Sequence, residues 1–474
     1  MNAHGLIVFA PGQERIDRFM SNALNDNYSI IPDSSQARVL LLREENGWSL
    51  PRHQATMAAE INEAMLAQLG ISTTVLDCVY DRYKDPERED EHLVYALENH
   101  SPEVLPPDNG RWVARTELAD LPLVVPEHRA VLEAWFSNTG QDMQDKQGER
   151  GEQGAAWMQP GWFNGARGWI EEQLERLGYI LAAPIEQFTA LSWGTVLRVP
   201  TTSGMLYFKA PAPAVAFEPV LAQTLARLVP GSVPEVCALD ERRHWLFMRN
   251  GGTPLRSDSP DCARSAEALR QYAQMQIALA PHIETLKATG CPDQRLAVLP
   301  DLYQEVLAAP SFLLLDQPKG LPRSEYEQLL AFTPRLREMC AELADCGVPE
   351  SLEHDDLHSR NILYNGQRYV FIDVGECCLA HPFGSMFVVL RDAKYILEYD
   401  EQERERLCQA YLDPWTRYAS MERLKRAFEL AHRLGALYRA LSWYRLLAPI
   451  EPERRGKLED SVLYFLQVFL GTQE

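Results

Sequence analysis

At 474 residues the chain holds material for two to four domains, each with a real hydrophobic core. Its composition, 46% hydrophobic against 24% charged, is that of an ordinary globular protein. A net charge of −21 argues against nonspecific nucleic-acid binding, which depends on Lys and Arg to neutralise phosphates, and suits a cationic substrate. The nine cysteines include no C-x-x-C pair and read as reduced thiols in a reducing compartment. The apolar run at 6–10 is too short for a signal peptide, and no run reaches membrane-spanning length. A cytoplasmic protein with no membrane or nucleic-acid partner is expected.

Residues 1–136 form a first unit. A β-rich run at 37–42 leads through the Asn46-Gly47 turn signal into Trp48-Ser49-Leu50-Pro51. An amphipathic helix follows, with Ile61, Met65, Leu66 and Leu69 on one face and Gly70 at its C-cap. Strands are predicted at 73–80, 92–97 and 111–114, and a closing helix at 126–136. This order, with G-x-S-L-P before the helix and Leu-Gly-Ile after it, resembles a Nudix domain and implies an α/β/α sandwich. Nudix enzymes hold metal with R-E-x-x-E-E-x-G. Here Glu63, Ala64, Ala67 and Gln68 occupy the four informative positions, so the ligand carboxylates are missing and the implied hydrolase chemistry is lost. Glu60 and Glu63 read as a solvated helix face.

Residues 137–156 carry Gln, Asp and Gly with no hydrophobic period, the composition of a flexible linker. A helix is predicted at 164–177, with Trp169, Ile170, Leu174 and Leu177 inward, then strands at 185–190, 195–199 and 205–209. Between the first two strands, LSWGT offers Ser192, Gly194 and Thr195 as donors to phosphate oxygens. Lys209 ends an alternating strand where an apolar residue is expected, so it needs a partner, and Glu218 at the start of the next helix is the natural candidate. Trp245 to Met248 form a buried-strand pattern followed by Arg249-Asn250-Gly251-Gly252, where Met248 and Asn250 are candidate adenine contacts. Apolar spacing is helical over 262–286 and 324–346.

The densest chemistry lies in 353–376. A polar run carries His354, Asp356, His358 and Asn361, Asn365-Gly366 signals a hairpin, and a β-rich run ends at Asp373. Phosphoryl transfer needs one carboxylate for the attacking hydroxyl and oxygen ligands for Mg²⁺ against a triphosphate, and these residue types suffice. HDDLHSRNIL followed by FIDVGE resembles the aminoglycoside phosphotransferase and choline kinase family, whose pattern is H-G-D-x-H-x-x-N before a hydrophobic-I-D strand. Asp355 stands where that pattern has glycine. The resemblance implies a bilobal protein-kinase-like fold over 157–474, with an N-lobe at 157–252 and a C-lobe at 253–474. It implies Asp356 as catalytic base, Asn361 and Asp373 as Mg²⁺ ligands, and Lys209, held by Glu218, on the phosphates of ATP.

Downstream, His381 is expected to cap the turn before Pro382, and helices are predicted at 401–411, 421–446 and 455–471. Within LGALYRALSWYRLL the aromatic spacing is that of a core, with Arg439 and Trp443 as secondary acceptor-pocket candidates. The expected protein is therefore a mixed α/β and α+β multidomain kinase acting on a small hydroxylated, amine-bearing acceptor. A second copy of the chain is a candidate partner. The alternatives are a non-catalytic nucleotide- or metabolite-binding regulator and, behind it, a Nudix-type diphosphate hydrolase.

Overall fold

Strand formation in the first part of the chain follows the period-two pattern. Along β2 (Arg38–Glu44), Val39 and Leu41 enter one apolar cluster while Leu40 enters another, so the strand is buried on both faces. The computed structural model describes residues 26–81, 92–140, 155–256, 261–315, 317, 320–450, 452, 455 and 458–473. The expected linker at 137–156 lies mostly outside these residues, and the apolar run at 6–10 wholly so. Described residues up to Pro213 form one compact unit, and those from Ala214 form a second.

In the first unit, β1 (Asn27–Ile30) runs parallel to β6 (Leu93–Asn99) and antiparallel to β4 (Arg52–His53). With β5 (Thr73–Asp81) they form a mixed sheet of order β4-β1-β6-β5, which leaves β5 at an edge. A smaller antiparallel sheet has the order β3 (Gly47–Ser49), β2, β7 (Gly110–Ala114). Helix α1 (Ala58–Leu69) stops at Gly70, whose left-handed backbone (φ 69) lets its N–H reach the Leu66 carbonyl. Its buried face is Ala58, Ile61 and Met65; Leu66, expected inward, is 54% exposed. One residue beyond Met65 is a 100° rotation, and the 58/61/65 spacing is the one that packs.

After α2 (His128–Gly140) and α3 (Trp162–Leu177), an antiparallel meander follows, made of β8 (Glu186–Leu191), β9 (Gly194–Thr201) and β10 (Gly204–Pro211). Leu177, also expected inward, is 38% exposed because it sits at the last helical position, past the packed turns of Ile170 and Leu174.

The second unit opens with α4 (Glu218–Leu228) and the hairpin of β11 (Val236–Asp240) and β12 (Trp245–Arg249). The chain then passes through β13 (Thr253–Pro254) into α5 (Cys262–Leu279), α6 (Leu299–Leu307) and α7 (Arg323–Asp345). Four short strands follow: β14 (Ser351–Glu353), β15 (Ile362–Tyr364), β16 (Tyr369–Phe371) and β17 (Cys378–Ala380). Helices α8 (Met386–Tyr395), α9 (Glu401–Leu412), α10 (Met421–Leu447) and α11 (Ser461–Leu470) complete it. From Leu434 to Trp443, α10 is buried on every side, the behaviour of a helix that is apolar all round. Gly435 permits this: a Cβ there would stand 2.3 Å from the Phe387 Cβ and 2.9 Å from the Gly384 carbonyl oxygen. All nine cysteines are free thiols. No described helix is long and apolar enough to cross a membrane.

Candidate active site

Two short antiparallel ladders bring the catalytic segment together. β15 pairs with β16, Ile362 opposite Phe371, across the Asn365-Gly366 turn, where Gly366 takes φ 91. β14 pairs with β17, Glu353 opposite Cys378. The loop 354–361 and the turn 372–377 therefore emerge side by side. Two bonds join them: the Ile372 N–H donates to the Asn361 carbonyl (3.0 Å), and His354 Nε2 donates to the Ile372 carbonyl (2.9 Å). Asp373 follows at once, with a left-handed backbone (φ 63).

Within the loop, Asn361 Nδ2 donates to the Asp356 carbonyl oxygen at 2.9 Å and reaches Asp356 Oδ2 at 3.4 Å. That commits the nitrogen end of the amide. Its Oδ1 is buried and accepts no hydrogen bond, an orphan that a hard cation would satisfy. Among the described residues no group of three or more His, Cys, Asp and Glu side chains forms a metal cage. An amide oxygen and one carboxylate fit instead a Mg²⁺ that keeps waters and phosphate oxygens as its other ligands.

Asp356 is 1% exposed, and its charge is set by two neighbours. Burial pushes its carboxyl up, but the Arg439 guanidinium (3.5 Å) and His358 (3.5 Å) outweigh burial and hold it below the usual carboxylate range. Burial lowers His358, yet the carboxylates of Asp356 and Asp392 bring it above its ordinary value. Asp392 also accepts the Ser359 N–H (2.8 Å) and so fixes the loop from α8.

Arg439, expected as a secondary acceptor-pocket residue, is fully buried on α10 and is a charge hub, a role the sequence reading did not give it. Its Nη1 donates to the Asp355 carbonyl oxygen (3.1 Å) and to Glu376 Oε2 (2.5 Å), and stands 3.6 Å from Asp355 Oδ2. One cation thus ties the catalytic loop to the turn after Asp373. Neither Arg439 nor Trp443 faces a pocket; both are 0% exposed. Burial pushes Asp355 and Glu376 up against the pull of Arg439, to which Arg445 adds at Asp355. Asp355 has φ 60, a backbone conformation open to glycine that Asp tolerates, which accounts for the glycine of the family pattern. The available signal was an Arg inside an apolar helical run, which must find a buried partner.

The remaining predicted residues fall as follows. Glu218 is the first residue of α4 and is buried, and its carboxylate packs on the turn after Asp373: a Cβ on Gly375 would stand 2.8 Å from its Oε2. Lys209 lies on β10 opposite Val196, and a Cβ on Gly194 would stand 3.9 Å from its Cε, so the lysine stem runs beside the β8–β9 turn. Ser192 is exposed at the tip of that turn. The Thr195 hydroxyl is committed to the Thr189 carbonyl (2.7 Å). Met248 lies on β12, and Asn250 Oδ1 caps the following turn by accepting the Gly252 N–H (3.0 Å). A polar cavity of about 430 Å³, lined in part by Asn250, Arg264 and Tyr364, includes none of Asp356, Asn361 and Asp373. His381 behaves as expected: its Nδ1 accepts the Phe383 N–H at the start of the 382–385 turn.

A buried acid beside an asparagine with an unsatisfied oxygen, joined by a hairpin to a second acid, comprises the residue types that phosphoryl transfer requires. A model of the phosphotransferase enzyme family matches residues 191–452, more than half of the chain, and the protein belongs to that family; it is an enzyme acting on small molecules. No curated protein sequence matches it. Among solved structures it is similar to choline kinase from Cryptosporidium parvum, at 12% identity and TM-score 0.48, covering 65% of this chain and 94% of that one. Plasmodium vivax ethanolamine kinase matches at 14% identity and TM-score 0.42, covering 60% and 81%. An aminoglycoside phosphotransferase from Streptomyces rimosus matches at 17% and 0.37, covering 56% and 97%.

Proposed function

We propose that this enzyme transfers the γ-phosphoryl group of Mg·ATP to a hydroxyl of a small acceptor. The observation that carries this reading is the orphaned Asn361 Oδ1 beside Asp356, on a loop bonded to the strand end that presents Asp373. Asn361 and Asp373 would hold Mg²⁺, which supplies charge neutralisation for the transferred phosphoryl group. Asp356 orients the acceptor hydroxyl and takes its proton. Held ionised by Arg439 and His358, it is a weak base, which suits a loose transition state in which proton transfer comes late. Lys209 would align the phosphates beneath Ser192 and Gly194, while Met248 and Asn250 would flank the adenine. Catalysis rests on positioning and charge.

The net charge of −21 favours an amine-bearing alcohol as acceptor. In this reading the kinase-like region, 157–252 and 253–474, follows a linker at 137–156 and a degenerate Nudix-like domain at 1–136, and the enzyme works in the cytoplasm. Replacing Asp373 with Ala should abolish Mg-dependent turnover. Asp356→Asn should spare nucleotide affinity and cut kcat. Acceptor-dependent ADP release, screened over hydroxylated metabolites and antibiotics, reads both. Wild-type turnover in either variant rejects the assignment.

A further inference from the structure

Two sheet edges meet inside the first unit. β5 is the outer strand of the mixed sheet, and its pairing with β6 slips between Val75 and Asp77. β8 lies at the end of the meander, and its pairing with β9 slips between Gln187 and Thr189. The irregularities engage each other. Gln187, 4% exposed, accepts the Val75 N–H through Oε1 (2.7 Å) and donates Nε2 to the Val75 carbonyl (2.9 Å). Its amide thus replaces the strand that an open edge would otherwise recruit.

Helix α1 completes the seam. Asn62 Nδ2 donates to the same Gln187 oxygen (3.2 Å), and Asn62 Oδ1 accepts from the Thr73 hydroxyl (3.1 Å). Ala190 packs on the apolar cluster of Ile61 and Met65. At the end of β8 the Trp157 indole donates to the Leu191 carbonyl (3.1 Å). The next two residues, Ser192 and Trp193, are the turn itself. A helix that lacks the carboxylates of a metal site thus spends its polar side chain on a strand of the meander.

We propose that residues 26–136, together with Trp157, act as a clamp on β8, and that Gln187, Asn62 and Trp157 are positioning residues holding the 191–195 turn over the nucleotide phosphates. This rests on the reading of that turn as phosphate-covering. A hairpin tip is mobile unless its base is fixed, and the seam fixes the base at Gln187, Ala190 and Leu191. Loosening it weakens nucleotide binding without touching a reacting group.

The test uses full-length protein and calorimetric titration with Mg·ADP, alongside steady-state kinetics and hydrogen exchange. Gln187→Leu removes both Val75 bonds and should weaken Mg·ADP binding about ten-fold, raising KM for ATP while kcat stays within about two-fold. Trp157→Phe keeps an aromatic side chain and removes the indole N–H that bonds Leu191, so it guards against a folding failure; it should weaken binding about three-fold. In both, exchange over 188–195 should quicken while that of β1 and β6 holds. Gly194→Val tests the underlying reading. If it leaves Mg·ADP binding unchanged, the phosphate-covering turn and the clamp both fall. If it weakens binding while Gln187→Leu and Trp157→Phe do not, the clamp alone is overturned.

Discussion

Arg439→Met is the most informative single substitution. The guanidinium is 0% exposed and faces Asp355, Asp356 and Glu376 within 3.6 Å, so its removal leaves three buried carboxylates without the guanidinium they share. Losing one partner of a buried ion pair costs about 3–5 kcal/mol, because the stranded charge keeps its desolvation penalty. Protonation relieves part of this. Asp355 and Glu376 already sit above their ordinary values through burial, so the loss should be smaller at low pH and grow as pH rises. Asp355→Gly, by contrast, removes one of three competing carboxylates and restores a residue suited to φ 60. It should cost less than about 1.5 kcal/mol. Urea denaturation of both variants at pH 6 and pH 8 measures the difference. If Arg439→Met shifts stability by less than about 1 kcal/mol at both, the buried charge hub described above does not exist.

His381 gives a pH dependence of defined sign. Burial drives its pKa from 6.5 down to about 3, so the folded state binds the proton later than the unfolded one. Stability is then fully present above pH 6.5 and is lost as pH falls toward 3; by pH 5 the loss is about 2 kcal/mol, and His381→Asn should flatten that slope. Gly252→Ala should prevent stable folding of the second unit. Its φ is 129 and a Cβ would stand 2.3 Å from the Tyr364 carbonyl oxygen. Gly366→Ala, with φ 91 and open space around it, should cost only about 1 kcal/mol, and equal Tm losses in the pair would contradict the close approach at 252. Glu376→Leu combined with Arg439→Met should recover part of the stability lost in Arg439→Met, read from the same urea curves, because each substitution removes the other's stranded partner.

The strands and helices were legible where pattern is local. The β15–β16 hairpin followed from Asn365-Gly366 between apolar runs, α1 ended at Gly70 as its cap chemistry required, and α10 was recognisable as core from its aromatic spacing. β1 escaped although Asn27-Tyr28-Ser29-Ile30 alternates, because four residues are too short a run to set a period, and burial of all four, polar ones included, comes from neighbours on both faces. Leu66 was misplaced because one turn of helix leaves the edge of an apolar stripe undecided until a partner packs on it.

The sequence by itself determined the enzyme family and named the candidate residues of its site. An acid, an amide and a second acid at that spacing, around a turn with only one economical conformation, admit few other uses. Tertiary structure alone decided what sets their charge and what steadies them. Arg439 lies 83 residues from Asp356 along the chain, and Gln187 lies 112 from Val75. Contacts of that separation leave no periodicity in either partner's surroundings. They exist only once helix α10 has packed beneath the catalytic loop and the β5 and β8 edges have met, because burial, rather than local pattern, is what obliges a charge or an amide to find its partner.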